Sequence, residues 1–209
     1  MSSRAAEALE GRREDILEAG QSIFIHYGFA RASLDLIARE AGISRTGLYH
    51  HFRNKEEIFR AVVERLNEAS LATASEQASR AGTLEMKLLG VLRAKLGSFF
   101  EKLSTTRHGD EILDESNRLC GDAVAKASRR YQKIIAKLLR DADRGGEIRL
   151  GGTGMSAEAA ASFVTQSAYG LQGRGGTESP TPSQYDKRLK QLCRVVVAGF
   201  GRPSARRGR

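Results

Sequence analysis

The chain has 209 residues, 40% of them hydrophobic and 28% charged, which is enough for one compact domain or a small one joined to a larger one. No apolar run reaches the length of a signal peptide or a membrane span, and Cys120 and Cys193 form no CxxC pair, so a reduced cytoplasmic protein is expected. The net charge of +9 does not by itself imply nucleic acid, because residues 1–56 hold eight Lys/Arg and eight Asp/Glu.

Helical periodicity recurs along almost the whole chain, and nothing insists on a strand. Ile16, Ala19, Ile23, Phe24 and Tyr27 form one stripe of a first helix that stops at Gly28. Ser33 can cap a short helix carrying Leu34, Ile37, Ala38 and Ala41, ended by Gly42. Ser44 can cap a third, through Leu48 to about His51. Lys55 opens a long fourth helix with Ile58, Ala61, Val62, Leu66 and Ala69 inward, and the chain turns small and polar from Ala72 to Gly82. Further helical patterns cover 84–103, 110–115, 118–143, 156–171 and 183–200. The Gly-rich stretch GGEIRLGGTG (145–154) separates the third and fourth of these, and GRGGTESPTPS (173–183) the last two, where Pro180 and Pro182 block helix. The expected fold is all-α, a three-helix head on a larger helical body.

Short helix, glycine turn, short polar helix is the pattern of a helix-turn-helix, whose second helix enters the major groove of DNA. Leu48 and Phe52 can anchor that second helix beside Ile37 and Phe24, which leaves Arg45, Thr46, Tyr49 and His50 outward. Residues 44–55 contain Arg45, Arg53 and Lys55 and no carboxylate. Such a face carries hydroxyls and cations for phosphates and forked donors for base edges. Gly47 costs roughly 1 kcal/mol of helix propensity relative to Ala, and in return it allows close approach of backbone to DNA.

The stretch SLDLIAREAGISRTGLYHHFRNKEEIF (33–59) resembles the DNA-binding signature of the TetR/AcrR family of transcriptional regulators. The match covers about residues 10–60, from the first helix ending YGF to the K-E start of the fourth. The resemblance implies a helix-turn-helix domain over 10–56 (motif about 33–52), an effector-binding and dimerisation domain over 57–201, and a basic tail, 202–209, expected to be disordered. It places the recognition helix on Ser44–His50, with base or phosphate contacts from Ser44, Arg45, Thr46, Tyr49 and His50. Ser33 matches a helix cap that touches phosphate, and Lys55 a phosphate contact at the start of the fourth helix. Many members carry Gly where Thr46 stands and a larger polar residue where Gly47 stands, so the order here is reversed.

The implied function is a homodimeric repressor that binds a palindromic or near-palindromic operator and is released by a small-molecule effector. The alternative is a nonspecific architectural DNA binder, with a helical enzyme or carrier ranked last. Leu88, Leu92, Phe99 and Leu103 on one helix, with Ala127, Tyr131 and Ile134 on another, either line an effector cavity or fill a core. Tyr131, Asn117 and Arg118 are candidate polar handles there. For the dimer interface, Ala157, Ala160, Ala161, Val164, Ala168 and Leu171 follow helical spacing, as do Tyr185, Leu189, Leu192, Val196 and Gly199. Two such helices from each subunit would pack as a four-helix bundle. The four histidines have no metal-ligand spacing, GLQGRGG (170–176) follows a helical pattern and not a strand, and no catalytic constellation emerges. Neither a metal, a cofactor nor an enzymatic activity is expected, nor a membrane partner.

Overall fold

A computed structural model describes residues 3–97, 106–173 and 180–201, with side chains from residue 11 onward, and contains no strand among them. Its helices are α1 (Ser3–Arg31), α2 (Leu34–Glu40), α3 (Arg45–Tyr49), α4 (Lys55–Ser79), α5 (Leu84–Leu92), α6 (Gly109–Arg144), α7 (Ala157–Gly170) and α8 (Pro182–Gly199). A π-helical turn, Arg93–Gly97, continues α5, and a 3-10 turn, Leu150–Thr153, lies between α6 and α7. The chain divides into two compact units, residues 1–68 with 102–125, and residues 69–101 with 126–209. The expected boundary at residue 56 is therefore too simple, because the first half of α6 packs into the head.

The head buries Ile16, Leu17, Phe24, Phe29, Ile37, Leu48, Phe52, Ile58, Phe59, Ile112 and Cys120 in one cluster. Phe59 meets Phe24 and Phe29 edge-on, each at 5.1 Å between ring centres, the arrangement that aromatic quadrupoles favour. α1 breaks where glycine predicts, since Gly28 has φ 78° and ψ 167°. A side chain there would have to displace the Glu111 carboxylate and the His108 ring, and the positive φ is what calls for glycine. The break is stitched by α6 and the turn before it: Ala30 N–H donates to Glu111 Oε1 (2.7 Å), and Thr106 Oγ1 donates to the Ile25 carbonyl (2.7 Å). Two helices expected over 110–115 and 118–143 are one, kinked at Cys120 (φ −127°, ψ 15°). The adjacent Leu119 carbonyl accepts from Arg60 Nη1 at 3.0 Å, and the same guanidinium pairs with Asp122.

The body's cluster combines Leu84, Leu88, Val91 and Leu92 with Tyr131, Ile135, Leu139, Ile148, Val164, Tyr185 and Leu189. α8 begins with a capping box: Gln184 N–H donates to Thr181 Oγ1 (3.3 Å), Thr181 N–H donates to Gln184 Oε1 (2.8 Å), and Pro182 starts the first turn. Arg93 clasps Asp186 through two bonds of 2.7 and 2.9 Å and holds that carboxyl down at about 2. Tyr185 Oη donates to the Ala168 carbonyl at 3.1 Å and ties α8 to α7.

The fold places two sets of expected site residues elsewhere than the sequence suggests. Ala157, Ala160, Ala161, Val164, Ala168, Tyr185, Leu189 and Val196 are each 7% exposed or less within the single chain, and Leu171 and Leu192 are half-buried against the same core. Surface already buried in one chain has nothing left to bury against a second copy, so these stripes are core. Of the expected effector-site residues, Leu88, Leu92, Ala127 and Tyr131 do share one cluster, with Ile134 packed against it. Asn117 and Arg118 are exposed and belong to the head unit, and Arg118 pairs with Glu115, so neither is a polar handle inside the body. Phe99 and Leu103 lie outside the described residues, as does the tail 202–209.

Candidate DNA-recognition surface

Short local bonds fix α2, its turn and α3. Leu36 N–H donates to Ser33 Oγ at 3.2 Å and opens α2, while Gly47 N–H donates to Ser44 Oγ at 3.0 Å and opens α3. Between them Gly42 adopts φ 65° and lets Ile43 N–H return to the Ala38 carbonyl at 3.0 Å. Leu48 is fully buried and Phe52 nearly so, and Arg13 lies over the Phe52 ring at 5.3 Å. With its apolar side pinned, α3 presents Ser44, Arg45, Thr46, Tyr49 and His50 to solvent, while Gly47 is half-buried.

Arg45 lies along this face. Its Nη1 pairs with Asp35 Oδ2 of α2 at 2.9 Å, and its Nη2 donates to Tyr49 Oη at 3.3 Å. The hydrogen bond with Tyr49, and then the charge of Asp35, raise the guanidinium's pKa further above its ordinary value. Solvent screens an exposed pair of this kind, so the guanidinium is prearranged without being locked.

Lys55 differs from expectation. Its Nζ donates to the carbonyls of Phe29 (2.8 Å), Ala30 (3.2 Å) and Ala32 (3.2 Å), and lies 4.5 Å from the Phe29 ring centre. An ammonium has only three N–H groups, so in this arrangement Lys55 has none left for a phosphate and instead closes the C-terminal end of α1. Two residues were missed by the sequence reading. Arg12 lines an open cleft with Gly42, Ile43, Ser44, Gly47, His50 and His51, which brings a cation from α1 beside the third helix. The adjacent pair Arg12-Arg13, just before the apolar stripe of α1, was the available signal. Asp35 was the other, and only the fold brings it to Arg45. Among the described residues, no group of three or more His, Cys, Asp or Glu is placed to hold a metal, and no helix is long and apolar enough to cross a membrane.

Residues 16–62 match the family model described as bacterial regulatory proteins, tetR family. SrpR of Pseudomonas putida, an HTH-type transcriptional regulator, is 30% identical over 161 residues, covering 71% of this chain and 68% of SrpR. The chain belongs to the TetR family. TtgR of the same species, also an HTH-type regulator, is 32% identical over 140 residues, 65% of this chain and 64% of TtgR, so the match spans just under two thirds of that relative. The fold is similar to that of SmeT, the repressor of the Stenotrophomonas maltophilia multidrug efflux pump SmeDEF, with a TM-score of 0.57 at 22% identity over 90% of this chain and 87% of SmeT. TetR-family proteins are transcriptional regulators, and the all-α architecture with an N-terminal helix-turn-helix head is theirs.

Proposed function

We propose that this TetR-family protein is a homodimeric, sequence-specific DNA-binding repressor, released from its operator by a small organic effector. The observation that carries the DNA reading is the two-sidedness of α3: Leu48 fully buried beneath an outward row of Ser44, Arg45, Thr46, Tyr49 and His50. In a major groove, Arg45 reads guanine O6 and N7, Tyr49 offers its hydroxyl to phosphate and its ring edge to a thymine methyl, and Arg12 reaches phosphate from α1. Ser33 and Ser44 act as caps that orient the exposed N–H groups of their helices, Thr46 and His50 add hydroxyl and imidazole donors, and Gly47 keeps the backbone close. Lys55 positions α1 and touches no DNA.

Release follows from linkage: an effector shifts the equilibrium only by as much as it prefers the non-binding arrangement. α4 and α6 contribute residues to both units and are the natural carriers of that shift. That SmeT is a repressor, and that its complex with triclosan is a solved structure, supports the same reading here. The dimer uses the faces opposite the buried stripes. On α7, Ala159, Phe163, Gln166 and Gly170 recur at helical spacing, all exposed and uncharged. On α8, Gln191, Val195 and Ala198 do the same, with Val195 68% and Phe163 51% exposed. A Phe163→Asp, Val195→Asp double variant is expected to sediment as a folded monomer; a dimer would refute this face.

The deciding experiment selects an operator from random-sequence duplexes, then titrates that operator and random DNA at three salt concentrations. Wild type is expected to prefer the operator by at least a thousandfold. Arg45→Ala is expected to lose the equivalent of about 1–3 kcal/mol on the operator and little on random DNA. Equal affinity of wild type for both DNAs would establish the architectural alternative instead.

A further inference from the structure

Among the described residues, Lys95 is the one buried charged side chain, with 9% of its surface exposed. It stands in the π-helical turn Arg93–Gly97, a local distortion that turns a side chain away from the regular helical course. Its surroundings hold the ammonium without neutralising it. Nζ donates to Ser128 Oγ of α6 at 2.9 Å and lies 4.8 Å from the ring centre of Tyr131 and 5.3 Å from that of Tyr169. No carboxylate of the described residues pairs with it, whereas Arg93 in the same turn has Asp186 in a two-point clasp. Burial alone brings the Lys95 pKa down from 10.5 to about 8. The neighbouring hydroxyls are already engaged with each other and with backbone: Tyr131 Oη donates to Ser70 Oγ, and Ser70 Oγ donates to the Ala94 carbonyl.

A buried cation held by one hydroxyl and two rings is an unmet electrostatic demand. Ring faces attract the charge but accept weakly, so the ammonium keeps donor capacity that an oxyanion would satisfy with short charge-assisted bonds. Tyr169 forms one wall and is 42% exposed, so the cluster borders the protein surface. Tyr131 belongs to the body's buried apolar cluster with Leu88, Leu92 and Ala127, so the hydrocarbon part of a ligand would enter by parting that packing. We propose that Lys95 anchors an effector site for small organic monoanions, carboxylates or phenolates on an apolar body, with Tyr131 and Tyr169 flanking the anionic group. This rests on the ligand-responsive reading above and names the chemistry of its ligand.

The test measures direct binding by calorimetry at pH 7, without DNA, using two matched probe pairs: octanoate with octanamide, and salicylate with salicylamide. On wild type, at least one acid is expected to bind ten or more times tighter than its amide. The Lys95→Met variant removes the charge at nearly constant shape, and is expected to abolish that preference while melting no lower than wild type in the absence of ligand. The proposal is overturned if neither acid outbinds its amide on wild type, a result that needs no variant. It is equally overturned if K95M binds the acids as tightly as wild type. Operator release is scored separately. Acid binding without release leaves the site standing and removes the induction step, whereas release that persists in K95M removes the site and leaves the regulator standing.

Discussion

The head and the body use polar groups in opposite ways. The head's interior is aromatic and aliphatic around Phe24, Phe29 and Phe59, with Ser116 its one buried polar side chain among the described residues, and its polar groups are otherwise displayed outward on α3. The body instead hides polar groups inside: the Lys95 ammonium, the Thr165 hydroxyl and the buried Tyr131 and Tyr185. A reader of base edges needs side chains held at fixed spacing on a firm backing. A responder to a ligand benefits from an interior demand that the protein alone leaves unmet. On the proposed function, the same helical material serves display in one unit and reception in the other.

Three substitutions sharpen or break this contrast. The largest effect is expected from Leu48→Ala, which opens a cavity behind the display face at a fully buried position. Such a truncation costs about 2–5 kcal/mol, and urea denaturation is expected to show that loss together with weakened operator binding. A stable variant with unchanged DNA affinity would mean the face does not depend on its backing.

Next is Lys95→Met, with the opposite sign. The folded-state pKa of about 8 lies below the ordinary 10.5, so between those values the unfolded chain holds a proton that the folded chain has released. Wild-type stability therefore rises with pH across that window, and the cost of burying the charge is fully present below pH 8. That cost is about 3 kcal/mol as an upper figure, so K95M is expected to be more stable at pH 7 by about 1–3 kcal/mol. The groups facing Lys95 are Ser128, Tyr131 and Tyr169, with no carboxylate among the described residues. The wild-type-minus-variant difference in urea stability at pH 7 and pH 10 isolates the lysine from other titrations, and a difference independent of pH would show that Lys95 is not buried as a cation. The smallest effect belongs to Ser44→Ala, which removes the cap of a five-residue helix. About 1 kcal/mol of stability is expected to go, with fraying of α3 visible as faster amide exchange at Gly47.

The display face was legible in the sequence because three signals agreed there: a capping serine, an apolar pair four residues apart, and a run without carboxylates. The α7 and α8 stripes show where such reading ends. Periodicity finds the buried side of a helix but does not say whether its cover comes from the same chain or another, and here it is the chain's own core. Lys55 misled for a related reason, since a helix-start lysine can serve a neighbouring helix's carbonyls as well as a phosphate, and only the fold brings Phe29, Ala30 and Ala32 within reach. Lys95 did leave a trace: it falls in register between Leu88, Leu92 and Phe99, a cation on an apolar stripe. Its missing counter-charge depends on α6 and α7, which the sequence does not place.

The clamp that Glu111 and Thr106 put on the end of α1 has a consequence for synthesis. Ala30 and its carboxylate partner are 81 positions apart in the chain. At roughly 5–20 residues per second, a ribosome delivers the second about 4–16 s after the first. Through that interval the nascent head has its third helix and Lys55, but lacks the Glu111 and Thr106 contacts to the break in its first helix. A chain ended before residue 106 is therefore expected to hold the end of α1 through Lys55 alone, and to fray there more readily than the full protein.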